Sequence, residues 1–240
     1  MEYFYLLLFS IAFLYAAVGH GGASGYLALM VIYGIAPNEL KPTALLLNLF
    51  VSLISFIQFY RGKYFLKNIF IPLALASIPL AFIGGLITLH DDIYKKALGI
   101  LLLIPVFRLF FFPNPTINEM KSANPYLSTL IGGSIGLISG MIGIGGGIIL
   151  SPVLLLLKWT DQKQTAAISA LFIFVNSLSG LAGQFTKGIE FNNHMLLYVA
   201  IAFTGGLLGA YFGSRKFNQT FLKNMLAGML LVGAFKLLFV

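Results

Sequence analysis

Two clusters of glycine are the residues of this sequence best suited to bind a ligand. The first lies in "VGHGGASG" from Val18 and the second in "IGIGGG" from Ile142. Each glycine costs a helix about 1 kcal/mol relative to alanine, so each cluster predicts the end of one half-helix and the start of another. Backbone N–H groups at a helix start attract anions. We therefore expect a paired anion cradle built from Gly19, His20, Gly21, Gly22, Gly143, Gly145, Gly146 and Gly147.

Amide side chains follow each cluster on the next apolar segment. Asn48 and Asn176 are expected to donate hydrogen bonds to the substrate, because a neutral donor can bind an oxyanion and release it again. Gln58 and Gln184 stand beside Arg61 and Lys187 near segment ends, which favours a gate or an entrance. Polar side chains also join helices inside membranes, so packing is the alternative role for these residues.

His20 is an ionisable group within an apolar segment, where such groups are costly and often functional. It is a candidate for carrying a coupled proton or for donating to a substrate oxygen. The alternative is a neutral imidazole bonded to a backbone carbonyl that the broken helix has freed. His20, His90 and His194 lack ligand spacing and the chain has no cysteine, so we expect no metal site and no cofactor beyond a coupling H⁺ or Na⁺. The carboxylates Asp91, Asp92, Glu119, Asp161 and Glu190 fall in loops or the linker, which disfavours a cation transporter.

The composition predicts an all-α integral membrane protein. Of the 240 residues 59% are hydrophobic and 9% charged, and apolar runs of about the 20 residues that span a bilayer recur along the chain. The net charge of +8 is ascribed to short loops that set orientation, so no nucleic acid is expected as a partner. We expect a multi-pass protein of the cytoplasmic (inner) membrane.

The chain contains two copies of one unit. "QFYRG" (58–62) aligns with "QFTKG" (184–188), and "AFIGGLI" (81–87) with "AFTGGLL" (202–208). We predict homologous repeats at 1–112 and 126–240 joined by the linker 113–125, each with a glycine-broken region followed by three transmembrane helices. Many secondary transporters are built from such repeats, with the substrate where the two units meet.

The path of the glycine-broken region decides whether the repeats are parallel or inverted. Residues 3–35 as one helix would measure about 50 Å, against a hydrocarbon core of about 30 Å. If each region crosses once, the basic residues divide evenly between the two sides. If each region is re-entrant, ten of the 15 lie on one side, as the positive-inside rule requires. We therefore favour inverted repeats with both termini outside.

The duplicated glycine loops, each followed by a helix with small residues and Asn and then by a Gly-Gly helix, resemble the sulfite exporter TauE/SafE family of membrane transporters. "GLISGMIGIGGGIILSPVLL" in the second copy is the more typical, while the first copy has His20 in place of Ile144 and Ala23 in place of Gly147. The resemblance covers nearly the whole chain. It implies movement of small anions such as sulfite, sulfonates or sulfoacetate.

We therefore expect a secondary transporter that moves a small anion by alternating access around the two loops. The nearest alternative is a channel-like pore for a small anion or a neutral solute. An enzyme is not expected, because no nucleophile and base stand at motif spacing. The expected partners are the anionic substrate and the lipid bilayer, and a homo-oligomer is a further candidate assembly.

Overall fold

The computed structural model describes residues 2–87, 103, 107, 120–186, 188, 193–218 and eight positions between 220 and 235. The helices expected to complete each unit lie largely outside these residues, as does most of the linker. Also outside them are His90, Asp91, Asp92, Arg108, Glu119, Lys187, Glu190, Lys223 and Lys236.

The described residues form helices and contain no strand. The helices are α1 (Glu2–Ala17), α2 (Ala23–Ile32), α3 (Pro37–Arg61), α4 (Lys67–Leu86), α5 (Pro125–Ile142), α6 (Gly147–Leu156), α7 (Gln162–Phe185) and α8 (Asn193–Arg215). Five of them, α3, α4, α5, α7 and α8, are long and apolar enough to cross a membrane, while α1, α2 and α6 are shorter. The predicted all-helical integral membrane protein is confirmed for this part of the chain.

The first glycine cluster turns the chain back on itself. Helix α1 ends at Ala17, and α2 begins at Ala23 after a left-handed Gly22 with φ of 95°. The ring of Tyr33, just after α2, lies 5.1 Å from the ring of Phe4 near the start of α1. Helix α2 therefore returns along α1, and we call the pair the first hairpin and residues 18–22 its tip.

The second glycine cluster does the same. Helix α5 ends at Ile142, and α6 begins after Gly146 with φ of 80°. Just outside the two helices, the Lys121 N–H donates to the Lys158 carbonyl at 2.8 Å. The start of α5 and the end of α6 therefore lie side by side, and we call this pair the second hairpin and residues 143–146 its tip.

Each hairpin packs closely against a helix of the other half through three glycines on one helix face. On α8 these glycines lie against α1, and on α5 they lie against α4. In both cases a Cβ on the glycine would collide with backbone atoms of the facing helix. The pairs are Gly205 with Phe9, Gly209 with Phe13, Gly213 with Ala17, Gly132 with Leu73, Gly136 with Ser77 and Gly140 with Ala81. These glycines therefore let the helix backbones approach each other closely.

Candidate functional site

The two tips approach each other between α3 and α7. Gly19 packs on Ala166 in the first turns of α7, and Gly143 packs on the Lys41 side chain in the first turns of α3. Ile173 contacts glycines of both tips. All residues of both tips are buried. The sequence-predicted glycines therefore come together as expected, and each tip reaches into the other half of the chain.

Asn48, completely buried in the middle of α3, links the two halves. Its Oδ1 accepts a hydrogen bond from the Ala23 N–H at 3.0 Å, and its Nδ2 donates to the Ser177 Oγ of α7 at 3.3 Å. A Cβ on Gly145 would lie 3.0 Å from Asn48 Nδ2 and 2.8 Å from Ser177 Oγ. The sequence predicted Asn48 as a donor to the substrate. In the structure it also occupies one of the N–H groups that the sequence analysis expected to be free for an anion.

The start of α6 carries no such cap. Its N-cap residue, Gly146, has no side chain to bond with, and the Ile149 N–H makes the first hydrogen bond back to the Gly146 carbonyl. The N–H groups of Gly147 and Ile148 precede that bond, so the helix itself offers them no acceptor. In the repeat alignment the position of Asn48 corresponds to Phe174, which has no amide to offer. The two helix starts therefore differ, and the second has the more available donors.

His20 bridges the first tip to the second hairpin. Its Nδ1 lies 3.0 Å from the Val18 carbonyl, and its Nε2 lies 3.0 Å from Ser151 Oγ, which is 2.8 Å from Ser169 Oγ. A carbonyl can only accept, so Nδ1 carries the proton and, in a neutral imidazole, Ser151 donates to Nε2. This is the structural alternative foreseen for His20, because Val18 lies where α1 has ended.

Asn176 makes a different contribution from the expected one. Its Nδ2 donates to the Phe172 carbonyl of its own helix at 2.8 Å, whereas its Oδ1 is buried with no hydrogen-bond partner in the part of the chain that the structure describes. The amide cannot be turned around without placing two oxygens against each other. Asn176 therefore presents an acceptor to its surroundings, not the donor that the sequence suggested.

Gln58 and Gln184 lie near the ends of α3 and α7 respectively. Gln58 Oε1 and Gln184 Nε2 are buried, and neither has a hydrogen-bond partner among the described residues, so each could bind a passing polar group. Neither Ser151 nor Ile173 was predicted from the sequence to belong to the site. Ser151 is the only polar side chain of α6, and that isolation was the available signal. Over the described residues, no cluster of His, Asp or Glu could hold a metal ion.

A bundle of apolar helices that encloses two buried, broken-helix loops is typical of a membrane transport protein. The family model for the sulfite exporter TauE/SafE matches residues 4–237, and the chain belongs to this family of membrane transporters. It is not an enzyme family.

The chain is similar to three curated proteins. Probable membrane transporter protein y4hK of Sinorhizobium fredii is 35% identical over 97% of this chain and 96% of its own length. Probable membrane transporter protein MJ0441 of Methanocaldococcus jannaschii is 27% identical over 66% of this chain and 60% of its own. Probable membrane transporter protein YunE of Bacillus subtilis is 30% identical over 41% and 36%. No solved structure matches the chain.

Proposed function

We propose that this protein is a secondary transporter for small anions of the sulfite or organosulfonate class. The meeting of the two glycine tips around Asn48 is the observation that carries the proposal. Broken helices that meet between repeats are where secondary transporters bind their substrates. Membership of the sulfite exporter family supports this choice of substrate class.

The anion would bind at the start of α6. The Gly147 and Ile148 N–H groups, Asn48 Nδ2 and the Ser177 hydroxyl are donors from three elements that surround Gly145. All of them are neutral, so their number and direction, together with the helix dipole, would hold the negative charge. Lys41 contacts Gly143 of the second tip through its methylene chain.

The two halves would be inverted repeats. Helices α1 to α4 correspond in order to α5 to α8, and the main contacts keep their pattern when the halves are exchanged: α1 packs on α8 as α5 packs on α4, and α3 packs on α7. Each glycine region would be a re-entrant hairpin that starts and ends on one side. Three crossings would then separate the two hairpins, so they would enter the membrane from opposite sides.

The distribution of basic residues supports an orientation. Lys163 Nζ lies 3.2 Å from the Ser214 carbonyl and 3.4 Å from Tyr64 Oη, which brings the start of α7, the end of α8 and the α3–α4 loop to one end of the bundle. Eight of the nine described Lys and Arg residues belong to this end: Arg61, Lys63, Lys67, Lys121, Lys158, Lys163, Arg215 and Lys216. We assign this end to the cytoplasm by the positive-inside rule.

Transport would proceed by alternating access. The tips are buried in this structure. A substrate would therefore reach them only when the first hairpin and α8, which pack together through glycines, move away from the second hairpin and α4. A permanently open pore would leave the tips accessible to water, and their burial therefore favours a transporter over the channel.

Counterflow in proteoliposomes tests this function. Vesicles loaded with unlabelled sulfite should accumulate labelled sulfite from outside, with saturation, whereas a channel would only equilibrate the label. Sulfate, thiosulfate, sulfoacetate, lactate and chloride serve as competitors. Gly145→Ala should abolish accumulation, because Gly145 has φ of 70° and its Cβ would displace Asn48 and Ser177. Gly34→Ala is the matched control, with φ of 68° and no atom within 4 Å. Absence of accumulation for every anion would refute the proposal.

A further inference from the structure

The C-terminal end of α5, beside the second tip, is rich in oxygen acceptors and poor in donors. The Gly143 and Ile144 N–H groups both donate to the Ser139 carbonyl. The next carbonyls, those of Gly140 and Met141, receive neither of these donors, and they lie where the helix dipole is negative. At the first tip, by contrast, the Val18 carbonyl is paired with His20.

Asn176 lies on a face of α7 that packs against the same segment. On α7, Phe172 lies one turn before Asn176. Its ring lies 2.9 Å from the position that a Cβ on Gly146 would occupy. Gly180 lies one turn after Asn176, and its own Cβ position is 3.6 Å from the Cα of Gly140. Residues four apart share one face of a helix, so Asn176 faces the segment from Gly140 to Gly146. Its side chain is 1% exposed, and its oxygen has no donor among the described residues.

We propose that Asn176 Oδ1 and the carbonyls of Gly140 and Met141 bind a sodium ion that is coupled to anion transport. Amide and carbonyl oxygens are ligands of a hard cation, and the C-terminal ends of broken helices are known sites for Na⁺. The described residues place no carboxylate here, so the site suits a monovalent ion better than Ca²⁺ or Mg²⁺. An amide oxygen does not take up a proton near neutral pH, so Na⁺ is favoured over H⁺.

The same short loop would then bind both ions. The anion would lie at the start of α6 and the cation at the end of α5, on either side of the four residues of the second tip. Each would reduce the electrostatic cost of burying the other, and the pair would move together. Lys41 packs on Gly143, and its Nζ donates to the Ile87 carbonyl, just after the end of α4, at 3.4 Å. This inference rests on the proposed anion transport and specifies its coupling ion and direction: symport down a sodium gradient.

Thermal unfolding of the detergent-purified protein in chloride salts tests the site without sulfite or any sulfonate. We compare NaCl, KCl and choline chloride at equal ionic strength and expect a saturable rise of the unfolding midpoint by roughly 3 °C in Na⁺ at ten times its dissociation constant. Asn176→Ala should lose this rise, and Asn176→Asp should keep or enlarge it. Ser52→Ala is the matched control: it removes a buried hydroxyl that bonds only to its own helix, and it should keep the full rise.

Two results would overturn the inference. They are equal midpoints in Na⁺ and choline for the unmodified protein, which would report ionic strength alone, and an undiminished Na⁺ effect in Asn176→Ala. Transport separates this inference from the proposed function. Anion counterflow that is equal with and without Na⁺ would remove the coupling site and leave the anion transporter intact, whereas absence of counterflow in both would refute the transporter itself.

Discussion

The rings of Phe4 and Tyr33 lie 5.1 Å apart although a broken helix separates the two residues along the chain. The contact means that α1 and α2 begin and end on the same side of the bundle. A single crossing would place these residues at opposite faces of the membrane. A glycine region that enters and leaves on one side adds no crossing to its half. The contact between Phe4 and Tyr33 therefore bears on whether the two halves are parallel or inverted.

Cysteine labelling in intact cells tests that topology. The chain contains no cysteine, so single substitutions give no background. With a membrane-impermeant maleimide, Tyr3→Cys and Gly34→Cys should both be labelled from outside, whereas Lys63→Cys and Lys216→Cys should react only after permeabilisation. Labelling of Tyr3→Cys and Gly34→Cys from opposite sides would exclude the re-entrant arrangement.

Asn48→Asp should separate folding from transport. The carboxylate can still accept from the Ala23 N–H, and a negative charge at a helix start is stabilising, so the protein should remain folded. The donor toward Ser177 and Gly145 is replaced by a charge that repels an anion, so sulfite counterflow should fall at least tenfold. Asn48→Ala should instead lower stability by about 1 kcal/mol, because the cap is lost. Normal counterflow in Asn48→Asp would place the anion elsewhere.

His20→Ala distinguishes the two roles of this histidine. The imidazole is bonded to Val18 and Ser151, and we expect its loss to lower stability by about 1–3 kcal/mol, because buried polar partners are left unpaired. Residual transport should keep the pH profile of the unmodified protein. Ser151→Ala, which removes only one of these partners, should lower the unfolding midpoint less. A pH profile that flattens in His20→Ala would instead show that His20 carries the coupled proton.

The glycine faces make a prediction about stability. Gly209→Ala places a methyl group against the Phe13 backbone, and overpacking of this kind costs about 1–3 kcal/mol. Gly136→Ala, its counterpart against Ser77, should behave alike. Gly228 is helical, and a Cβ on it would meet no atom of the described residues within 4 Å, so Gly228→Ala should be neutral or slightly stabilising. The loss of solubility on heating in detergent ranks the stabilities of these variants. Equal losses for Gly209→Ala and Gly228→Ala would contradict close packing.

Local features of the site could be predicted from the sequence because glycine density and hydrophobicity act locally. Two clusters that break apolar helices and come together follow from composition and repetition. The partners of Asn176 could not be predicted, because the chemistry that an amide offers depends on which of its two ends is already bonded. Ser151 was missed for a related reason: its role depends on His20, 131 residues earlier.

The difference in capping between the starts of α2 and α6 could not be predicted from the sequence either. The sequence marks both clusters as equivalent, yet Asn48 caps only α2. The position corresponding to Asn48 in the second half is Phe174, and its effect becomes visible only when the N–H groups of α6 are located in space. The repeated glycine pattern therefore predicted the two broken helices. The positions at which the two halves differ, such as Asn48 and Phe174, decide which helix-start N–H groups are capped.

The glycine faces also impose an order on biogenesis. Helix α4 is already synthesised when α5 emerges, so α5 can pack on it at once. Helix α1 can pack on α8 only later, because Gly209 is synthesised 196 residues after Phe13. At about 5–20 residues per second this interval is on the order of 10–40 seconds. During it the first hairpin, with its buried histidine and unpacked backbone, sits in the membrane without the surface that will cover it. The first half of the nascent chain therefore depends on the second for its final fold, and premature termination would leave an exposed, degradable hairpin.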